Sequence, residues 1–240
     1  MRPAIATILV LTTFGWVSAS AAESAIDDPL PRRGFLGAQL MAVPPEWREM
    51  LRLGPQQGAI ITGIIPGTAA SLLDVRQYDV LIRVGDLEVS GDEVLPEIVS
   101  TISRHRDGDV LPFTFIRNGQ EVTENIRLMG LQKEMNPKID VVYSALKAGP
   151  IWQRTIITKP KGAGPFPIVV YFQDYGCESL DQPYPPYRPI RQFAHTLAEL
   201  GVAVMRIEKP GIGDSEGPPC TECGFETERA AFDAAVPYAK

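Results

Sequence analysis

Between residues 33 and 130 the hydrophobic positions fall in short runs that are separated by turn residues. Apolar runs bounded by glycine, proline or asparagine are typical of strands. Leu95, Ile98 and Ile102 recur at helical spacing, and two further runs flank Asn118-Gly119, a dipeptide that favours a tight hairpin turn. The pattern predicts a small β-rich unit with one helix packed on it, with strands at residues 35–41, 58–65, 80–84, 111–117 and 121–128.

Beyond residue 131 the pattern changes to longer apolar runs that alternate with helical stretches. Residues 168–172 are continuously apolar, as in a strand that is covered on both faces. A helix is predicted at 190–200 and a second buried strand at 202–207. Strand, helix and strand in succession indicate a right-handed parallel unit of an α/β sheet. Two earlier strands, at 140–145 and 152–158, and a last helix from residue 225 complete the prediction.

The first 21 residues have the pattern of a secretory signal peptide. Arg2 precedes a mostly apolar run at 5–17, and Ala19-Ser20-Ala21 is a small-x-small cleavage site. The run is shorter than the roughly 20 residues that span a bilayer, so no stable membrane insertion is expected. The mature chain is expected to be exported, and either periplasmic or secreted.

Composition narrows the function classes further. The chain has 240 residues, with 23 Lys and Arg against 29 Asp and Glu, for a net charge of -6. Because no basic cluster is present, nucleic acid is not expected as a partner.

Four stretches of the first half carry a family resemblance. They are Arg33-Gly-Phe-Leu-Gly-Ala, the run from Gly58 through Pro66-Gly67, Asp79-Val-Leu-Ile-Arg-Val-Gly-Asp, and Ile116-Arg-Asn-Gly-Gln. In this order and spacing, residues 33–130 resemble a PDZ domain, and in particular those of HtrA-type and C-terminal-processing proteases. The resemblance implies a module that binds a peptide or protein C-terminus as an added strand.

The same resemblance implies the residues that bind this ligand. The first stretch corresponds to a carboxylate-binding loop, in which successive backbone N–H groups form a cradle for an anion. That loop maps to Phe35, Leu36, Gly37 and Ala38. The helix that carries Ile98 and Ile102 would close the groove, although about half of the apolar positions on such a helix must belong to the core.

Residues 139–240 resemble the N-terminal part of an α/β-hydrolase, near the serine aminopeptidase and esterase branches. The resemblance rests on Pro160-Lys-Gly, on Gln173-Asp-Tyr-Gly and on the loop from Arg206 to Gly217. It implies that the backbone N–H of Asp174 or Tyr175 points at the developing oxyanion of an ester or peptide substrate. The usual His-Gly pair is absent from this loop.

The stretch Gly213-Asp-Ser-Glu-Gly217 matches G-x-S-x-G, the pattern of a serine nucleophile. A nucleophile elbow needs a helix directly after the serine, but Pro218-Pro219 follows Ser215 closely. The resemblance to chymotrypsin-like Gly-Asp-Ser-Gly-Gly-Pro fails at Glu216, and His105 and His195 are misplaced for such a triad. Ser215 is therefore expected to be structural, and the chain is expected to lack the nucleophile.

The cysteines are confined to the C-terminal third of the chain. The spacing of Cys220 and Cys223 fits zinc or a redox pair, but zinc needs three or four ligands and a redox pair opens a helix. In the resembled fold, Cys177 follows one parallel strand and Cys220 follows its neighbour. A disulfide from Cys177 to Cys220 or Cys223 is expected in an exported protein. No metal or cofactor is expected.

The predicted fold class is α/β and α+β in two domains, a small β-rich PDZ domain followed by a truncated α/β-hydrolase sheet. The predicted parts are a signal peptide (1–21), a PDZ domain (33–130), a linker with the first strand of the next domain (131–150) and the N-terminal part of the hydrolase domain (151–240). The predicted function is a fragment of an exported serine hydrolase, an esterase or peptidase, that is inactive alone. The alternative is a non-catalytic periplasmic PDZ adaptor.

Overall fold

The computed structural model describes residues 28, 30–54, 57–91, 94–173, 176–184 and 188–239. It divides into two compact units. The first unit contains Arg32–Leu131, and the second contains the chain up to Pro31 together with Gln132–Lys240. Both mix helices with open β-sheets, so the chain is an α+β protein. The predicted signal peptide lies outside the described residues.

The described part of the first unit consists of short strands and three helices. A six-stranded sheet has the order β2-β3-β4-β6-β7, with β5 beside β4, and β1 pairs separately with β8. Its elements are β1 (Gly34–Phe35), β2 (Ala38–Ala42), α1 (Pro45–Met50), β3 (Ala59–Ile64), α2 (Ala69–Leu72), β4 (Val80–Val84), β5 (Leu87–Glu88), α3 (Val94–Ser103), β6 (Val110–Arg117), β7 (Gln120–Arg127) and β8 (Met129–Gly130).

The core of the first unit lies between the sheet and α3. Phe113, Phe115 and Leu81 from the sheet pack with Ile98 from the helix, and none of the four is exposed. Asn118 and Gly119 both have positive φ and connect β6 to β7, as their sequence predicts. Strand β2 pairs with β3 on one side and lies at the edge of the sheet.

The second unit contains a four-stranded sheet of order β11-β12-β10-β9. β10 is antiparallel to both of its neighbours, whereas β11 and β12 are parallel, as the strand-helix-strand pattern predicts. The elements are β9 (Ile139–Ala148), β10 (Ile151–Pro160), β11 (Ile168–Tyr171), α4 (Pro189–Glu199), β12 (Ala203–Ile207) and α5 (Phe225–Tyr238), with a short 3-10 turn at Cys220–Glu222 before α5.

Strand β11 occupies an edge of this sheet although its sequence is Ile-Val-Val-Tyr. All four of its residues are only partly buried. In β12, the parallel neighbour, all five residues are buried. An apolar strand that is only partly buried at the edge of a sheet can pair with a further strand.

The segment that leads into β9 contacts the sheet of the second unit. The sequence predicts that residues 131–150 contain a linker and the first strand of the next domain. Glu134 in this segment is buried in the second unit and pairs with Arg206. Strand β9 also begins at Ile139 and runs for ten residues. A residue before the first predicted strand of the second domain is therefore held by a partner that is distant in sequence.

Candidate functional site

Residues 35–38 form a tight connection between β1 and β2. Gly37 has φ +80, and a Cβ at this position would lie 2.0 Å from Thr68 Oγ1. The carbonyl oxygens of Leu36 and Gly37 accept hydrogen bonds of 2.8 Å from the N–H groups of Ala70 and Ile65. These two hydrogen bonds hold the loop against Ile65 and Ala70, in and just before α2. Only glycine fits at position 37, because any Cβ there would clash with Thr68.

The opposite face of this loop carries two free donors. Within the described residues, the N–H groups of Leu36 and Gly37 have no hydrogen-bond acceptor. Leu36 is only 4% exposed, and an unpaired N–H in such a place is unusual. The adjoining strand β2 has an open edge, so two free N–H groups precede a strand that can accept another strand.

The structure places the two predicted helix residues in the core cluster of the first unit. Ile98 has no exposed area, and Ile102 is 7% exposed and packs in the same cluster. Helix α3 packs against β2, and its turns bring partly buried Leu95 rather than Ile98 toward solvent. Ile98 and Ile102, which the sequence predicts to bind the peptide, therefore lie on the face of α3 that packs on the sheet.

In the second unit, the predicted oxyanion donors Asp174 and Tyr175 lie outside the described residues. Gln173 precedes them at the end of β11, and its Nε2 donates to the carbonyl oxygen of Glu178 at 2.8 Å. Gly176 and Cys177 follow them, and Cys177 forms a disulfide with Cys220. Cys223 is a free thiol. The disulfide joins the loop after β11 to the loop after β12.

A small pocket lies where β11 and β12 end. Ligands of α/β sheets bind outside the carboxyl ends of parallel strands, which is where this pocket is. The strand ends contribute Gln173 and Glu208, β10 contributes Gln153, and Lys209 forms a 2.8 Å ion pair with Glu228 of α5 at its wall. The apolar part of the lining is Phe172, Ile207, Pro210, Ala231 and Phe232.

Glu208 holds the loop that follows β11. Its Oε1 accepts three hydrogen bonds, from Ser179 Oγ at 2.7 Å and from the N–H groups of Leu180 and Asp181 at 2.8 and 2.9 Å. The side chain is fully buried. Burial and the nearby Asp181 raise the pKa of Glu208 to about 7, although the three donors act in the opposite direction.

Ser215 is fully buried in the loop that follows β12. Its Oγ accepts the N–H of Arg154 at 2.9 Å and lies 3.4 Å from the carbonyl oxygen of Glu208. The preceding Asp214 accepts a hydrogen bond from Arg154 Nε at 3.0 Å. Such a hydroxyl orders the loop after β12 and is not accessible to a substrate.

Neither histidine lies beside a serine in the described part of the chain. His195 Nε2 is 3.2 Å from Glu134 Oε2, and its Nδ1 is 3.2 Å from Asn136. His105 is in the first unit, 3.7 Å from Asp109. The described residues therefore contain no serine and histidine arrangement for nucleophilic catalysis.

Gln153 and Glu208 are not among the site residues that the sequence predicts. Gln153 lies on a predicted strand and Glu208 follows one directly, but the strand pattern does not indicate that the two side chains line one pocket. The one available signal was the position of Glu208 after a buried strand, because the strand ends of an α/β sheet form its ligand sites.

Comparison with curated proteins gives similarities to two kinds of hydrolase. Over 100 residues the chain is 28% identical to a probable periplasmic serine endoprotease, DegP-like, of Chlamydia trachomatis, which covers 42% of this chain and 20% of that protein. Over 78 residues it is 31% identical to esterase EstD of Thermotoga maritima, which covers 32% and 19%. The chain thus spans about a fifth of the length of these relatives. No protein-family model matches it.

Among solved structures, the HtrA-type protease AlgW with a decapeptide matches with 26% identity and a TM-score of 0.36, over 42% of this chain and 30% of that chain. The photosystem II D1 C-terminal processing protease matches with 14% identity and a TM-score of 0.33, over 62% and 32%. The sequence similarities support a relationship to HtrA-type serine proteases for part of the chain. No helix among the described residues is long and apolar enough to cross a membrane.

Proposed function

We propose that this chain is part of an exported serine hydrolase. The first unit is a PDZ-like module for peptide or protein C-termini, and the second is the N-terminal part of an α/β-hydrolase domain that acts on ester or peptide bonds. The observation that carries the proposal is the pair of free N–H groups of Leu36 and Gly37 beside the open edge of β2.

The geometry of the loop explains how a carboxylate would bind. Two successive N–H donors in a turn form a concave anion site, and hydrogen bonds to a charged acceptor are stronger than those to a neutral one. Upstream residues of the same peptide would extend the sheet along β2. Partly buried Leu40 and Leu95 supply apolar surface for its side chains.

The proposal for the second unit is supported by the exposed apolar edge of β11. We infer that a further strand pairs with β11 in the complete protein and leads to the serine nucleophile. The similarity to serine endoproteases and to an esterase supports the general reaction class, and the description of the DegP-like relatives as periplasmic supports export. A small ester or peptide would be the substrate of the complete protein.

A peptide-binding experiment tests the first unit. Fluorescent peptides from a diverse library are compared with a free and with an amidated C-terminus, by anisotropy. Binding at micromolar concentrations is expected for the free carboxylates, and binding at least about tenfold weaker for the amides, because amidation removes the charge. Equal affinity of both forms across the library would contradict the proposal for the loop.

A labelling experiment tests the second unit. The coding sequence is extended past Lys240, and the longer protein is exposed to a serine-reactive fluorophosphonate. Labelling of a serine other than Ser215 is expected. If the complete protein carries no reactive serine while the first unit still binds C-termini, the protein is the adaptor of the alternative hypothesis.

A further inference from the structure

The pocket at the ends of β11 and β12 collects polar atoms that have no hydrogen-bond partner. Within the described residues these are both side-chain polar atoms of Gln153, Oε1 of Gln173 and Oε2 of Glu208. Gln153 and Glu208 have no exposed area. A buried polar group without a partner is costly, so three unpartnered oxygens in one pocket point to a ligand that donates hydrogen bonds.

The charges that line the pocket favour a cation. When ionised, Glu208 adds a negative charge to the lining, whereas Lys209 is paired with Glu228 at 2.8 Å. Among the described residues of the lining, the ionised Glu208 therefore has no cation beside it. A buried charge of this kind is stabilised strongly when an opposite charge reaches it.

The size and the walls of the pocket suit a small group. Its cavity of about 20 Å³ holds roughly one water-sized group. Phe172 and Phe232 are stacked at one wall, with 3.6 Å between their ring centroids. Aromatic faces attract cations, and an ammonium has three N–H donors for the three free oxygens.

We propose that this pocket binds the primary ammonium group of a small amino compound, such as the amino-terminal residue of a peptide or an amino-acid amide. The ammonium donates to Glu208 Oε2 and to the Oε1 atoms of Gln153 and Gln173. The free Nε2 of Gln153 matches a carbonyl oxygen next to the ammonium on the same molecule. This binding does not depend on the proposed hydrolase function, because it requires no serine nucleophile.

Glu208 makes this binding dependent on pH. Its carboxyl group must be ionised to neutralise the ammonium, and burial raises its pKa to about 7. The charged groups near it are Asp181, which favours the protonated form, and the Lys209–Glu228 ion pair at the pocket wall. Methylammonium keeps its proton in this range, so its binding should tighten about tenfold from about pH 6 to about pH 8.

Calorimetric titration with glycinamide near neutral pH tests the site. Glycolamide, in which a hydroxyl replaces the ammonium, is the matched uncharged probe. Glycinamide should bind at least about tenfold more tightly than glycolamide, because a charge-assisted hydrogen bond is worth more than a neutral one. Glu208→Gln removes the charge but keeps an oxygen for the loop, and should weaken glycinamide binding by at least about tenfold. Glu222→Gln, at an exposed glutamate outside the lining, should bind like the parent chain.

Gln153→Leu is the second variant. Its amide has no partner to lose within the described residues, so the fold should survive even if Glu208→Gln proves unstable. This variant too should bind glycinamide more weakly. Equal binding of glycinamide and glycolamide would show that the pocket does not distinguish an ammonium from a hydroxyl group, and would overturn the proposal. Unchanged affinity in folded Gln153→Leu, or no binding heat at all, would do the same.

Discussion

Arg206 and Glu134 form a two-point ion pair inside the second unit. Nη1 and Nη2 of Arg206 donate to the two carboxylate oxygens of Glu134 at 2.9 and 2.8 Å, and neither side chain is exposed. Leu180 and Thr158 accept the remaining hydrogen bonds of these two nitrogens. The residues are 72 positions apart in sequence, so this pair fixes the segment before β9 to the middle of the sheet.

Glu134→Gln should destabilise the second unit by about 3–5 kcal/mol. The substitution leaves the Arg206 guanidinium buried without its counter-charge, which is the costly way to break such a pair. Equilibrium unfolding in urea measures the change, with Glu222→Gln as the control at an exposed glutamate. A loss below about 1 kcal/mol would show that water or another group reaches Arg206.

Because of the same pair, the free energy of unfolding of the second unit should fall in acid. Burial would raise the pKa of Glu134, but hydrogen bonds with His195 and Arg206 outweigh it and lower the pKa to about 2. A carboxyl group whose folded pKa is depressed stabilises the fold above its unfolded pKa and loses that contribution as pH falls. Stability should therefore fall by roughly 3 kcal/mol between about pH 4.5 and about pH 2. Unfolding curves across this window, which should be flatter in Glu134→Gln, measure it.

Removing the disulfide should destabilise the loops after β11 and β12. Cys177 and Cys220 are separated by 43 residues, and closing a loop of this length is worth about 4 kcal/mol at most. Replacing both cysteines by serine should lower the free energy of unfolding by about 2–4 kcal/mol. Cys223→Ser, which leaves the bond intact, should be nearly neutral. If the double variant and the control are equally stable, the bond does not constrain the unfolded chain.

Gly37→Ala and Gly119→Ala form a matched pair. Both glycines have φ near +80, but a Cβ at Gly119 meets nothing within 4 Å, whereas at Gly37 it meets Thr68. The shared backbone cost is about 1–2 kcal/mol, so Gly37→Ala should be destabilising by a further 1–3 kcal/mol or so from the clash. It should also weaken binding of peptide C-termini, which Gly119→Ala should not. Equal unfolding midpoints would mean that Thr68 moves freely.

Ser215→Ala should lower stability and spare catalysis in the complete protein. The buried N–H of Arg154 loses its acceptor, which costs about 1–3 kcal/mol. The hydrolytic rate, measured at a temperature where the variant is folded, should stay close to that of the parent protein. A catalytic serine would instead show a loss on the order of 10⁶-fold, and that result would identify Ser215 as the nucleophile.

The local features of the fold were predictable from the sequence. Asn118-Gly119 specifies its hairpin because the turn requires two residues with positive φ. The parallel pair of β11 and β12 follows from two apolar runs and the helix between them. Helix α1 (Pro45–Met50) was not predicted, because its six residues are too few to show a helical period.

The candidate sites were less predictable, because burial of a polar residue depends on partners that are distant in sequence. Gln153 and Arg154 lie on a predicted strand, yet nothing in the strand pattern indicates that both are fully buried. Ile98 and Val99 look alike in the sequence, but Ile98 is in the core and Val99 is 63% exposed. Which face of a helix meets a ligand is decided by packing, which the hydrophobic period does not encode.

The hydrogen bonds of Arg154 and Arg32 determine the order in which the two units can fold during synthesis. Arg154 reaches back to Asp28 at 2.6 Å and to the carbonyl oxygen of Leu30 at 2.7 Å, so the second unit uses chain from both sides of the first. Arg32 donates to the carbonyl oxygen of Leu131 at 2.8 Å, which closes the ends of the first unit on each other. The first unit is therefore a contiguous insert with adjacent ends, the arrangement in which inserted domains are tolerated. It can fold as soon as residue 131 has emerged, whereas residues 28 and 30 must wait for a strand that is made more than a hundred residues later.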